Sequence, residues 1–380
     1  MDSVTEVSSS GIFSRIGQSL VGALFGLLLV PGSMMLLYWN EGRAVIASTG
    51  LSQGEKQLVE ASGAGVDPRN DGKLLHLSGG LSSSRPAQDP VFGVVSPELL
   101  VLRRKVEMYQ WKESKTSHSS TSVGGTKTTE TTYDYDKVWS EQPIDSGSFH
   151  SSAQHHNPEM PLESATTVSQ SAKLQAFDVD PALLEHCKKL SPVGDSAPPP
   201  EGYRQDSGHL YRGADPASPQ VGDIRVSFSG LAQQTVSVVA QQSSGTLAPF
   251  RASNGYLIAL IEPGTVDAKT QFAEARAEEN QLTWILRAVG FVLMLVGFML
   301  ALRPLSVLGS VLPFLGGLIE AGAFFFALAM AAPLTLLTIA FAWLAHRPLL
   351  AGALIAAAAT AWFLSWRHRP RKQGAMAAAA

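Results

Sequence analysis

The sequence predicts an α-helical membrane protein with four transmembrane helices plus a large α+β, strand-rich extramembrane domain. Three observations predict it. Long apolar runs stand near both ends of the 380-residue chain. Charge is segregated: residues 40–283 carry 21 Lys+Arg against 29 Asp+Glu, and the flanks carry 8 against 3. Between the runs, β-branched and aromatic residues alternate in several short segments. Charged residues make up only 16% and the formal net charge is −3, which excludes a disordered polyelectrolyte and a nucleic-acid binder working by bulk charge. One cysteine, Cys187, excludes an internal disulfide framework and any zinc module built on two or more thiolates.

Residues 1–15 are expected as a cytoplasmic N-terminus. Transmembrane helix 1 is placed at 16–39, IGQSLVGALFGLLLVPGSMMLLYW. That length makes about 36 Å of helix against a hydrocarbon core of about 30 Å. A cleaved signal peptide is the competing reading, disfavoured by the length of the run and by the charges in Asn40-Glu41-Gly42-Arg43. Residues 40–282 form the periplasmic or lumenal α+β domain. Transmembrane helix 2 is placed at 283–302, with Arg287 near enough to one end to snorkel to the headgroups. Residues 303–320 are expected as a cytoplasmic-side interfacial or re-entrant segment, because LSVLGSVLPFLGGLI is too short to span and is weakened by Pro313 and Gly316-Gly317. Helix 3 follows at 321–345 and helix 4 at 348–366, and 367–380 is a basic cytoplasmic tail. The tail cluster Arg367-His368-Arg369-Pro370-Arg371-Lys372 orients the chain, with the acidic body outside. Trp39, Trp284 and Trp343 then fall at the outer interface and Trp366 at the inner one, with Arg303, Arg367 and Arg369 as further anchors.

Within the body, Arg104–Glu113 and Thr131–Trp139 are expected as the arms of a long hairpin with a mobile Ser/Thr-rich tip between them. Lys73–Gly79, Ile224–Ser229, Thr235–Ala240 and Tyr256–Ile261 read as strands. Asp180–Leu190 reads as a short helix opened by Pro181. The charged, Ala/Glu-rich stretch Val266–Asn280 reads as a helix running into the second span.

Five ordered blocks carry a resemblance: LLYWNEGRAV at Leu36–Val45; HLSGGLSSSRPAQDPVFGV at His76–Val94, continuing into LRRKVEMYQWKE at Leu102–Glu113; VWSEQPIDSGSFHSSAQHHNPEMP at Val138–Pro161; VGDIRVSFSG at Val221–Gly230; and TWILRAVGF at Thr283–Phe291 with PLTLLTIAFAWLAHRPL at Pro333–Leu349. In these blocks the chain resembles the transmembrane protein 43 (LUMA) family. The resemblance implies four spans, cytoplasmic termini, a large lumenal or periplasmic domain and a role in organising protein complexes. It implies no catalytic residue and no cofactor. Animal members usually have a small polar residue where this chain has Pro333. The Ala- and Gly-rich composition suggests a bacterial member, hence a bacterial inner membrane with a periplasmic domain. In a eukaryote the setting would be the endoplasmic reticulum or inner nuclear membrane.

The candidate chemistry is sparse. His150, His155 and His156, with Asp145 and Glu159, include metal-ligand types, but adjacent histidines on a strand point apart, and Asn157-Pro158 reads as a turn. His186 beside Cys187 does not face it on a helix. Asp206, Ser207 and His209 include triad types without triad spacing. Glu320 reads as an interfacial anchor or, alternatively, a conduction residue. Gly22 and Gly26 form a small-xxx-small face suited to packing within the chain or to dimerisation. No catalytic, cofactor or metal residue is therefore assigned. The expected function is a non-enzymatic membrane scaffold. A channel or channel-accessory protein and a membrane-anchored hydrolase are the alternatives. The expected partners are the lipid bilayer, unidentified membrane proteins and a possible homo-oligomer, with no nucleic acid.

Overall fold

The computed structural model describes residues 2–93, 95–122, 126–193, 199–309, 313–347 and 360. In chain order the first elements are β1 (Asp2–Ser10), α1 (Ile12–Gln57), β2 (Val59–Glu60), β3 (Leu74–Ser83), β4 (Leu99–Thr121) and β5 (Lys127–Ser140). Next come β6 (Ala165–Val168), β7 (Ala172–Leu174), β8 (Phe177–Val179), α2 (Pro181–Glu185), β9 (Ser191–Pro192), β10 (Arg204–Asp206) and β11 (His209–Arg212). The chain continues through β12 (Ile224–Ala232), β13 (Gln234–Ser243), β14 (Thr246–Ala248), β15 (Phe250–Arg251), β16 (Leu257–Ile258) and β17 (Leu260–Pro263), then α3 (Ala268–Gly309) and α4 (Pro313–His346). These elements sort into two compact units. One holds Met1–Gln18, Ile46–Asn280 and Val307–Ile319; the other holds Ser19–Val45, Gln281–Ser306 and the chain from Glu320 onward.

The first unit contains a closed ring of strands. β3 pairs with β13, β13 with β14, β14 with β8 in parallel, β8 with β7, and β7 back to β3. The residues explain the closure. Leu75, Leu77 and Leu81 alternate along β3, and Val236, Val238 and Ala240 along β13. With Leu174, Phe177, Val179 and Leu247 they form one buried cluster. α2 adds Leu183 and Leu184 to that core, with Asp180 capping it through a bond from the Ala182 N–H at 2.9 Å. The outer faces of β3 and β13 are apolar too: Leu74 and Val239 pack with Leu51 of α1, Ile258 and Phe272 of α3. Arg276 of α3 pairs with Glu55 of α1 beside them.

The second sheet of the body runs β1-β5-β4-β12-β11-β10. The expected hairpin is present and longer than foreseen. β4 and β5 pair from Met108↔Ser140 to Thr121↔Lys127, so the Ser/Thr-rich stretch up to Thr121 is itself strand. Residues 123–125 lie outside the described residues. Other segments also differ from the sequence reading. Residues 2–10, expected within a cytoplasmic terminus apart from the body, are a strand on the edge of the body's own sheet. The Tyr256–Ile261 strand is two short strands, and the helix at Asp180 is one turn and a half.

Three helices among the described residues are long and apolar enough to cross a membrane: Ile12–Gln57, Ala268–Gly309 and Ala321–His346, the last within α4. The chain is a multi-pass membrane protein. The fourth expected span, 348–366, lies outside the described residues apart from Thr360. The helix from Val266 does run into the second span as one element, α3, which continues through Pro304 to Gly309. α4 then starts at Pro313 and stays helical through Pro333, so most of 303–320 is helix.

Candidate functional site

Within the second unit α1, α3 and α4 pack in a fixed register. Descending α1, Leu37 packs against Gly290, Val30 against Gly297, Gly26 against Gly297 and Ala301, and Gly22 against Leu300 and Arg303. Falling numbers on α1 meet rising numbers on α3, so the two are antiparallel. Leu37, Met294 and Ala331 form the buried centre of the three helices, and the Thr335 hydroxyl lies 3.3 Å from the Met294 sulfur.

At one end the packing turns polar. Glu41 is fully buried and pairs with Arg287 at 2.6 and 2.9 Å. The Asn40 amide donates to the Thr283 carbonyl at 3.1 Å, and Arg43 donates to the Thr283 hydroxyl at 2.9 Å. On the α1–α4 seam, the His346 imidazole lies on Gly42, where a Cβ would come within 2.8 Å of Nε2, and near the Tyr38 ring at 4.9 Å. Asn40 Oδ1 and His346 Nε2 are buried with no hydrogen-bond partner among the described residues. Polar groups at a bundle interface hold helices in register because their alternative is an unsatisfied group in hydrocarbon. The layer thus ties α1 to α3 by charge and hydrogen bonds, and α1 to α4 by a tilted Tyr38–His346 ring contact beside Gly42.

The tryptophans expected at the outer interface sit at this same end. Trp39 adjoins Asn40, Trp284 adjoins Thr283, and Trp343 lies one turn before His346. Trp39 and Trp284 are exposed, and Arg287 and Arg347 place guanidinium groups 4.8 Å from the Trp284 and Trp343 rings. Arg303 is exposed and lays its stem on Gly22 at the other end. Trp366, Arg367 and Arg369 lie outside the described residues, as does the side chain of Glu320. Arg287 is part-buried and has in Glu41 a partner that the sequence reading did not give it. The sequence reading also missed Glu41, Asn40 and His346 as a set. The available signal was opposite charge on two apolar helices, one residue or a few from a tryptophan on each.

In the body, the structure separates the other candidate groups. His155 is 1% exposed and stacks on Tyr135 at 3.7 Å, whereas His156 is exposed. Asn157 braces the turn, accepting from the Trp111 N–H at 2.7 Å and donating to the carbonyls of Trp111 and Ile144. Among the described residues no group of three His, Cys, Asp or Glu side chains is placed to hold a metal ion. Cys187 is buried in the barrel core, and burial pushes its thiol up to about 11. Asp206 and His209 pair across the β10–β11 turn, with Ser207 at φ 47° inside it.

The family model described as Transmembrane protein 43 matches residues 108–348. The mouse protein named Transmembrane protein 43 is 34% identical over 361 residues, covering 91% of this chain and 90% of its own length. The chain belongs to the transmembrane protein 43 family. The human member is 34% identical, covering 90% of this chain and 88% of its own. A fruit-fly homolog is 32% identical, covering 90% and 93%. These relatives are animal proteins and lend no support to the bacterial inner-membrane setting expected above. No solved structure matches. The matched region takes in the ribbon of β4 and β5, most of the barrel and the α3 and α4 sides of the polar layer.

Proposed function

We propose that this transmembrane protein 43 family member is a non-enzymatic membrane scaffold, which uses its body to hold partner membrane proteins and its bundle as a fixed anchor. The observation that carries the reading is the ribbon of β1, β4 and β5. Fourteen register pairs join β4 to β5, about 45 Å of strand. Side chains from Ser114 to Ser120 are all exposed. A long, hydroxyl-rich, solvent-facing ribbon on a rigid barrel is suited to recognition by surface complementarity. Tethering in the bilayer converts weak encounters into effectively intramolecular ones.

The test is crosslinking in native membranes followed by purification of the chain with its associates. A variant in which residues 114–131 are replaced by a short turn is expected to retain barrel and bundle and to lose the associates seen with the parent. Identical associates from both chains would remove the ribbon from the argument. Substrate turnover by purified protein, abolished by one polar substitution in the body, would overturn the non-enzymatic reading.

A further inference from the structure

We infer that the outer face of the body's sheet, from β10 across to β5, is a docking site for an acidic peptide segment of a partner protein. The inference rests on the scaffold reading and gives a partner class to a face separate from the ribbon of residues 114–131. Cross-strand pairing puts its side chains on one side of the sheet. Arg204, Tyr211, Arg225 and Glu107 stand opposite one another across β10, β11, β12 and β4. Beside that row, Tyr109 pairs with Trp139 and Trp111 with Lys137 across β4 and β5. The other side of these strands is the apolar cluster of Val106, Met108, Leu210, Ile224 and Val226.

Cations and rings alternate on this face. The Arg204 guanidinium lies 5.3 Å from the Tyr211 ring, Arg225 lies 4.6 Å from Trp139, and the Lys137 ammonium lies 4.7 Å from Trp111. The rings join these pairs into one lattice: Trp139 meets Tyr109 at 5.1 Å and Tyr211 at 6.2 Å. Two carboxylates touch the lattice and both are satisfied. Glu107 accepts from Arg225 at 2.8 Å and from Lys105 at 3.1 Å, and Asp223 accepts from the Tyr211 hydroxyl and the Gln220 N–H. Arg204 and Lys137 are exposed and have no carboxylate partner among the described residues. Residues 40–283 are net acidic, so this face holds positive charge against the balance of its own domain. Charge complementarity selects an anionic occupant. The rings narrow the choice. A cation already lies on Tyr211, on Trp139 and on Trp111, which removes the open platform on which a sugar stacks. A guanidinium held flat on a ring instead turns its remaining N–H groups toward a carboxylate. Long side chains ordered before binding lower the cost of binding. An extended segment with acidic side chains at every second residue sets them on one face, in step with cations spaced by rings.

The test uses the full chain in detergent and a labelled octapeptide alternating glutamate with alanine, read by fluorescence anisotropy. Saturable binding is expected, and the matching glutamine–alanine peptide should bind about tenfold more weakly or worse. Lys137→Glu with Arg204→Glu should weaken the acidic peptide by a similar factor and leave the melting temperature unchanged, since both side chains are exposed. Lys73→Glu, at an exposed lysine away from this face, should leave the affinity as it is. No binding by the parent chain, equal binding by the charge-reversed chain, or an equal loss in Lys73→Glu would overturn the proposal. Tighter binding of heparin through Lys137 and Arg204 would overturn it too, by making a sulfated polysaccharide the occupant. A chain with residues 114–131 replaced by a short turn should still bind the peptide, so this site and the ribbon can fail separately. Loss of peptide binding in that chain would move the site to the ribbon and overturn it here.

Discussion

The barrel of the body and the polar end of the helix bundle solve the same problem by different means. In the barrel, strands are held by a dry apolar interior: Leu75, Leu77, Val236, Val238 and Phe177 meet with no charged group among them. In the bundle, apolar side chains cannot supply the same drive, because lipid tails are as apolar as leucine. The helices are instead fixed where Gly26 lets α1 touch the α3 backbone and where Glu41 meets Arg287. The first solution depends on volume. The second depends on close approach and on charge pairing.

The largest effects should come from breaking each solution at its centre. Phe177→Ala empties the barrel interior and should cost about 3–5 kcal/mol, read as a lower melting temperature of the body. Glu41→Ala leaves the part-buried Arg287 without its buried partner and should cost up to about 3 kcal/mol. The contrast lies in the rescue. Adding Arg287→Met to Glu41→Ala should recover part of the loss, since it removes the unpaired charge while the space left by Glu41 stays unfilled. No recovery in the double variant would show that the layer holds the bundle by more than this pair.

A smaller effect separates two glycines. Gly26→Val would drive a side chain into the Gly297 and Ala301 backbone and should cost about 1–3 kcal/mol or more. Gly22→Ala meets its nearest atoms at 3.8 Å and should be nearly neutral. Equal effects in a detergent-based unfolding assay would break the assigned register of α1 on α3.

The smallest effects lie on the body's surface and in its one thiol. Desolvation pushes the Glu107 carboxyl up, but hydrogen bonds from Arg225 and Lys105 outweigh it and leave it below the usual carboxylate range. A depressed folded value means that Glu107 stabilises above its unfolded value, and that this is lost as pH falls through the folded one. Glu107→Gln should therefore lower stability at neutral pH by no more than about 1 kcal/mol and flatten the acid limb of the stability–pH curve. Cys187, with its thiol pushed up to about 11, should resist iodoacetamide at pH 8 until the chain is denatured. Prompt labelling of the folded protein would place it outside the barrel core.

Legibility followed the range of the interactions. The spans were readable because bilayer thickness demands a long apolar run, and the runs around Ile16–Trp39, Leu282–Leu302 and Ala321–Ala345 meet that demand. The hairpin was readable from alternation around Tyr133, Tyr135 and Trp139. Strand β1 was not, because Asp2–Ser10 is polar on both faces and its partner lies more than 100 residues away. Its side chains meet His150 and His155, two residues that the sequence reading had weighed as metal ligands and set down to a turn. The closure of the barrel was equally invisible: it rests on the parallel pairing of β14 with β8, two three-residue strands whose sequences carry no pairing code.

The sequence by itself determined which segments are long and apolar enough to cross a membrane and which family the chain resembles, because hydropathy over some 20 residues is a local property. Only the tertiary structure decided that Glu41 and Arg287 neutralise each other, that Gly26 faces α3, and that the N-terminal strand completes the sheet of the body. Each of those depends on which distant residue arrives opposite. Charge pairing, close backbone contact and strand register are properties of two partners at once, and no single stretch of chain carries both.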